Sequence, residues 1–423
     1  MAEEGPLRLR GAVRHYEWGG YELIASLTGA SNPGRRPFAE LWLGAHRSAP
    51  ALVETASGAL PLEEFIAARP AEILGPAAAA RYGGRLPYLL KVLEAQKMLS
   101  IQAHPSRRQA EEGFLRENRA GVAPGAPERN YKDPNHKPEV HVALTEFWML
   151  HGFRPLEEIA RTLREAPELA SVMPDFGARL PSCGAAPTPR RDLLRELYTR
   201  VMTMPQEDVN RILDPLIARL ERGAPPARNT PHFWMLRAAR EFPRPGGGRD
   251  RGLFSIYLLN LVRLAPGEGT YQPAGVLHAY LEGANVELMA SSDNVLRGGL
   301  TPKHIDVDEL LRTVSFESGA AEVLKGCAVS PSETVYRTPA AEFELSRIDL
   351  VPGRVHRGAA VEGPDTVLLL EGTALLDAGG RRLSLQRGNA VFVPHGRAYS
   401  LAAETGCALL FKASLPASPA SPR

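Results

Sequence analysis

Cysteine is scarce in this chain: there are three in 423 residues, Cys183, Cys327 and Cys407, at no paired spacing. They build neither a disulfide framework nor a thiolate metal site, and a reducing, cytoplasmic setting is expected. An excess of one charge is also missing. Lys and Arg number 50 against 48 Asp and Glu, a formal charge of +2, too weak a field to hold a polyanion, so nucleic acid is not an expected partner. The start, Met1-Ala2-Glu3-Glu4-Gly5-Pro6, has acids where a secretory signal needs positive charge, and no apolar run follows it. The most apolar stretch, Leu253 to Val262, is interrupted by Ser255, Tyr257 and Asn260. It is far shorter than the ~20 residues of a membrane-spanning helix, so no membrane is expected either. What is present, 44% hydrophobic and 23% charged residues, suits a globular protein of two or three domains at roughly 150 residues each.

Hydrophobic periodicity divides the chain. Short apolar runs at Leu86–Val92, Met98–Gln102, Val140–Leu144 and Phe147–Phe153 predict strands. The period then changes: Leu156, Ile159, Ala160 and Leu163 recur at helical spacing, as do Leu193, Leu194, Leu197 and Val201. Thr188-Pro189 and Thr230-Pro231 read as helix starts, with the hydroxyl as cap and proline in the first turn. Pro243-Arg244-Pro245-Gly246-Gly247-Gly248 ends the helical region as a loop in which Arg244 reads as a solvated charge. Strand-like runs resume at Leu253–Leu264 and continue from Val335 to Phe411. The expected fold is therefore mainly β with an inserted α region. The tail, residues 413–423, is nearly all Ala, Ser and Pro and is expected to be disordered.

One pattern occurs twice. Gly267 is followed by Pro273, Gly275 and His278, and Gly388 by Pro394, Gly396 and Tyr399, at identical spacings. Gly and Pro fix a tight turn, and the residue three beyond the second Gly opens the next strand pointing inward. This resembles the second signature of the cupin superfamily, whose jelly-roll barrels hold a metal with His and Glu. Two copies imply two barrels, the second of which carries Tyr399 in place of a ligand. Two further segments can complete the first site. Gln102 and His104 stand two apart on one strand face, and Glu139 enters the strand beginning at Val140. With His278 they make a set of two imidazoles, a carboxylate and an amide that suits Zn²⁺.

Five motifs then carry a more specific resemblance: Tyr16-Glu17-Trp18-Gly19; Ala39-Glu40-Leu41-Trp42-Leu43-Gly44-Ala45-His46; Leu99 to Pro105; Asn135-His136-Lys137-Pro138-Glu139; and His278 through Ser292-Asp293-Asn294-Val295-Leu296-Arg297 to Lys303. In this order they resemble the type I mannose-6-phosphate isomerases. The resemblance implies one Zn²⁺ per chain on Gln102, His104, Glu139 and His278, a small sugar phosphate as partner, and a monomer. It implies active-site roles for Arg297 and Lys137 on the enediolate and for His136, Asp293 or Glu287 in proton transfer. Lys303, Lys91 and Tyr280 are expected to bind substrate, Lys303 at its phosphate. The implied architecture is two cupin-type jelly-roll barrels plus a helical domain: residues 1–152 and 253–330 as the catalytic barrel, 153–252 as the helical insertion, and 331–412 as a barrel without metal. Where the family commonly has Ala after the arginine, this chain has Gly298. Two other readings stay open, a non-heme iron cupin oxygenase using His104, His278 and Glu139, and a sugar-binding bicupin without catalysis.

Overall fold

A computed structural model describes residues 5–180, 187–358 and 363–416. Two sheets organise them. The larger has eleven strands and holds the C-terminal part of the chain, from Cys327–Ser330 to Tyr399–Ser414; the smaller has ten and is built around the long strand His278–Ala290. That strand pairs with Tyr88–Ala95 on one side and with Glu139–Ala143 and Phe147–Phe153 on the other. Three short strands of the first 61 residues join the larger sheet instead: Leu7–Arg10 pairs with Ala390–Val393, and Leu52–Thr55 and Gly58–Pro61 follow it outward. The N-terminal segment thus stitches the two sheets together.

The pleat sorts residues between two environments. Leu90 and Val92, Val140 and Val142, and Val286 and Leu288 all point to a core shared with Leu368, Leu370, Phe392 and Phe411 of the larger sheet. Their alternating neighbours Lys91, His141 and Glu287 point the other way and stand in register across three strands. Each fully buried Val or Leu of the shared core contributes roughly 1.5–3 kcal/mol, which fixes the register. A slip by one residue would turn the charged row into that core.

Helices cover another part of the smaller sheet. Leu156–Glu165, Pro187–Thr203, Gln206–Arg222 and Pro231–Glu241 bury Leu156, Leu197, Leu213 and Trp234 in one cluster with Ile101, Trp148 and Leu150 of the strands. The helix at Thr230 begins as its sequence predicts, with Pro231 in the first turn. The Thr230 hydroxyl, however, donates back to the Ala227 carbonyl instead of capping. The other Thr-Pro helix starts at Pro187, and the Thr188 side chain lies outside the described residues, as does Cys183.

Three sequence expectations need correction. Gly252–Leu258 is a helix, and the strand begins only at Leu259. Every residue of this helix is buried, so its hydrophobic pattern carries no period that separates it from a buried strand. Arg244 is not a solvated charge but pairs with the buried Asp250 at 3.2 Å. The last strand runs on through Ala413 and Ser414, which pair with Leu345 and Glu344 and are buried. The order of these two residues comes from neighbouring strands, which composition does not reveal. Residues 417–423 of the expected disordered tail lie outside the described ones. Among the described residues no helix is long and apolar enough to cross a membrane.

Candidate metal centre and its surroundings

The Gly267–His278 turn forms as its spacing predicts. Gly267 and Gly275 take φ of 87° and 79°, a region L side chains avoid, and His278 is the first residue of its strand. Its register partner on the neighbouring strand is Gln102. His104 follows two residues on, and Glu139 opens the strand Glu139–Ala143. Three distant segments thereby converge: the ligand atoms of His104, Glu139 and His278 lie within 4.8 Å of one another, all buried. His104 Nε2 is 3.4 Å from Glu139 Oε1, and His278 Nε2 is 3.4 Å from Oε2.

The residues fit a metal. The far nitrogen of each imidazole is already engaged, His104 Nδ1 with the Asn294 carbonyl at 2.8 Å and His278 Nδ1 with the Val276 carbonyl at 3.0 Å. As donors there, they leave each Nε2 as a free lone pair aimed at the cluster. Burial, followed by the charge of Lys137, pulls His104 down to about 4, so it stays neutral as a ligand must. Glu139 is held well below the usual carboxylate range: burial opposes ionisation, but Lys137 and the imidazoles outweigh it. Lys137 Nζ sits 2.7 Å from Glu139 Oε1. Gln102 lies in register with His278 and donates its amide N–H to Ser100 Oγ at 3.2 Å.

Beneath this cluster runs a row of polar groups that would be costly without partners. Lys91 is buried 3.2 Å from Glu287 and 4.0 Å from Glu40. Burial alone would lower its ammonium, but the two carboxylates raise it above its ordinary value. Tyr280 donates to Glu287 at 2.6 Å, and Trp42 Nε1 donates to Glu40 at 2.7 Å. Burial, then Glu139, raises the Glu287 carboxyl. Lys91 and Tyr280, expected to touch substrate, are thus engaged with carboxylates inside the sheet.

Of the groups expected to move protons, His136 is paired with a carboxylate. Its Nε2 is 2.8 Å from Glu342, which Arg107 also reaches. The Asp293 side chain is 46% exposed, with Oδ2 3.3 Å from His46 Nε2. Partial burial works against its charge, yet the His46 hydrogen bond outweighs it and lowers the carboxyl. Arg297 has no acidic partner among the described residues, and burial lowers its guanidinium. Lys303 is exposed, lowered by partial desolvation and by the charges of Arg297 and Lys132.

Asn294 was missed as a site residue, although it sits inside a diagnostic motif. It is fully buried. Its amide donates to the Asp133 and Asn135 carbonyls, its side-chain oxygen accepts from the Lys132 and Asp133 N–H groups, and its own carbonyl holds His104. One side chain thus ties the loop leading to Lys137 and Glu139 to the segment leading into the strand Leu296–Gly299 that bears Arg297. Glu40 and His46 were likewise passed over. The strand register puts Trp42 opposite Lys91, and Glu40, two residues away on the same face, beside it. Alternation along Glu40–Gly44 was the available signal.

The comparisons agree with this geometry. Residues 7–156 match the family model of the phosphomannose isomerase type I catalytic domain. The mannose-6-phosphate isomerase of Salmonella typhimurium is 37% identical over 390 residues, covering 91% of this chain and 94% of that protein. Mannose-6-phosphate isomerase 2 of Arabidopsis thaliana is 33% identical over 96% of this chain and 93% of its own length. A crystal structure of the Salmonella typhimurium enzyme bound to fructose 6-phosphate and zinc superposes with a TM-score of 0.85 at 34% identity, over 97% of this chain and 100% of that one. The chain belongs to the mannose-6-phosphate isomerase family, type I.

Proposed function

We propose that the chain is a zinc-dependent aldose–ketose isomerase that interconverts mannose 6-phosphate and fructose 6-phosphate through a cis-enediol. The observation that carries this reading is the buried His104–Glu139–His278 cluster, with the acid-free Arg297 in register with Gln102 and Lys303 near enough to Arg297 to feel its charge. Four ligands, His104, Glu139, His278 and Gln102, would hold the metal. When bound, it supplies positive charge to the substrate oxygens without taking part in proton bookkeeping.

The remaining work falls to side chains. Isomerisation removes a proton from carbon 2 and returns one to carbon 1; the C1 aldehyde is reduced as the C2 alcohol is oxidised, so no external oxidant is needed. Negative charge grows on the substrate oxygens midway. Arg297, always charged and able to fork two oxygens, is assigned to that charge, together with Lys137. Lys303 is assigned to the phosphate. Asp293 is assigned the proton transfer, since His136 is spent on Glu342 and Glu287 is buried against Lys91 and Tyr280; a base must first be within reach.

We read the ten-stranded sheet as the catalytic cupin unit, residues 153–252 as its helical insertion, and the C-terminal strands as a second cupin unit without metal. Family membership disfavours the oxygenase and the non-catalytic sugar-binding readings. A coupled assay from mannose 6-phosphate to fructose 6-phosphate, with and without chelator, tests the proposal. Activity abolished by chelation and restored by Zn²⁺ is expected; full activity in metal-free protein would sink it.

A further inference from the structure

The corner between Arg297 and Lys303 is conformationally expensive. Leu300 takes φ of 52°, rare for a residue with a branched side chain, and Gly299 before it takes φ of 134°. Such a corner persists only when its surroundings over-determine it, and here the surroundings are supplied by the exit of the helical insertion. Asp250 is 1% exposed. Its Oδ1 accepts from the Leu300 N–H at 2.8 Å and from the Gly252 N–H at 2.7 Å, while its Oδ2 receives Arg244 at 3.2 Å. Gly252 packs so closely that a methyl group on it would lie 2.7 Å from Leu300 N, and a methyl on Gly299 would collide with Gly252 in turn. Gly298 faces the same insertion, since an added methyl there would lie 3.0 Å from the Tyr198 hydroxyl.

We infer that Asp250 is a positioning residue: through the Leu300 N–H it fixes the corner that sets Arg297 and Lys303 in place, which makes the helical insertion part of the catalytic apparatus. Arg297 sits two residues before the corner, in register with Gln102, and Lys303 three residues after it. A carboxylate that accepts two backbone N–H groups and an arginine is a strong, directional anchor. Displacing a catalytic group by about 1 Å can cost on the order of 10²-fold in rate. The inference rests on the roles proposed above for Arg297 and Lys303.

The test is steady-state kinetics on the zinc-loaded full chain, with zinc content and thermal midpoint measured alongside. Asp250→Ala should lower kcat about 10- to 100-fold and raise KM while zinc content stays at one per chain. Asp250→Asn, which keeps an oxygen for both N–H groups, should recover most of the loss. In an Arg297→Ala background, Asp250→Ala should add little to the fall in kcat, because the group it positions is already gone. Gly252→Ala moves the corner from the other side without touching charge and should reproduce the kcat loss, so the inference stays testable if Asp250→Ala fails to fold. Unchanged kcat per zinc in both Asp250→Ala and Gly252→Ala, or losses that multiply in the double variant, would overturn the inference. Failure of Arg297→Ala alone to lower kcat would instead overturn the proposed role of the arginine.

Discussion

In the ten-stranded sheet the turn from Gly267 to His278 delivers an imidazole to Glu139 and His104; in the eleven-stranded sheet the turn from Gly388 to Tyr399 delivers a phenol to Asp365, at 2.8 Å. The backbones match: Gly388 and Gly396 take φ of 87° and 74°, against 87° and 79° in the first copy, and Tyr399, like His278, opens its strand. The interiors differ. Around Tyr399 the cation belongs to the chain itself: the buried Lys412 pairs with Glu333 at 2.6 Å, and its charge extends to Asp365. Around His278 the Nε2 atoms of two imidazoles converge on the carboxylate of Glu139. A repeated turn therefore dictates where a side chain is delivered, while the partners on the facing strands decide whether the site calls for a metal or satisfies itself.

The sharpest break in that contrast is His278→Ala against Tyr399→Phe. The first should empty the site of zinc and lower activity by roughly 10³-fold or more, given the several kcal/mol a metal contributes to charge stabilisation. The second should leave zinc at one per chain, as elemental analysis will read. Next in size, Arg297→Ala should lower kcat about 10²-fold with KM little changed. Lys303→Ala should act mainly through KM, at the roughly 1.5–3 kcal/mol of one charge-assisted bond. If kinetics show the two effects exchanged, the assignments of chemistry and phosphate are exchanged with them.

Installing the missing ligand sharpens the comparison further. Tyr399→His should not create a second metal site, because Lys412 already occupies Glu333; two zinc ions per chain would refute that account. The smallest effect is a pH dependence. Burial pushes the Asp365 carboxyl up to about 6 from its ordinary 3.8, with Lys412 and the Tyr399 hydrogen bond pulling the other way. The folded chain thus binds this proton more tightly than the unfolded one, so stability falls as pH rises from about 4 to about 6 and the cost stays constant above. Asp365→Asn should remove that slope and recover on the order of 3 kcal/mol or less at pH 7. Urea unfolding at pH 4.5 and pH 7 measures it, and a wild-type slope that survives the substitution would show the titration lies elsewhere.

Much of the site was legible because its chemistry is local in sequence. Gln102 and His104 announce a shared strand face by their spacing of two, and the Gly-Pro-Gly spacing announces where His278 begins its strand. Of the four residues expected to bind metal, His104, Glu139 and His278 meet, and Gln102 stands in register with His278. The pairings of His136 and Lys91 were not legible, for a common reason: each has its partner far away in the chain, Glu342 for the histidine and the pair Glu40 and Glu287 for the lysine. The helix Gly252–Leu258 escaped notice because burial on all sides erases periodicity, and Ala413 and Ser414 because small residues acquire order from the strands they pair with.

The sequence by itself determined the alternation that separates Val140 and Val142 from Glu139 and His141, the two equivalent turns, and the donor set for a borderline metal, since each depends on backbone geometry within a few residues. Tertiary structure alone decided which polar groups are spent on one another and which are left to act. Asp250 clamping the Leu300 corner, Asn294 joining two loops, and Lys412 standing as the built-in cation of the other sheet are all pairings across dozens of residues or more. They arise because a buried charge or N–H must find a partner wherever the fold brings one within about 3 Å.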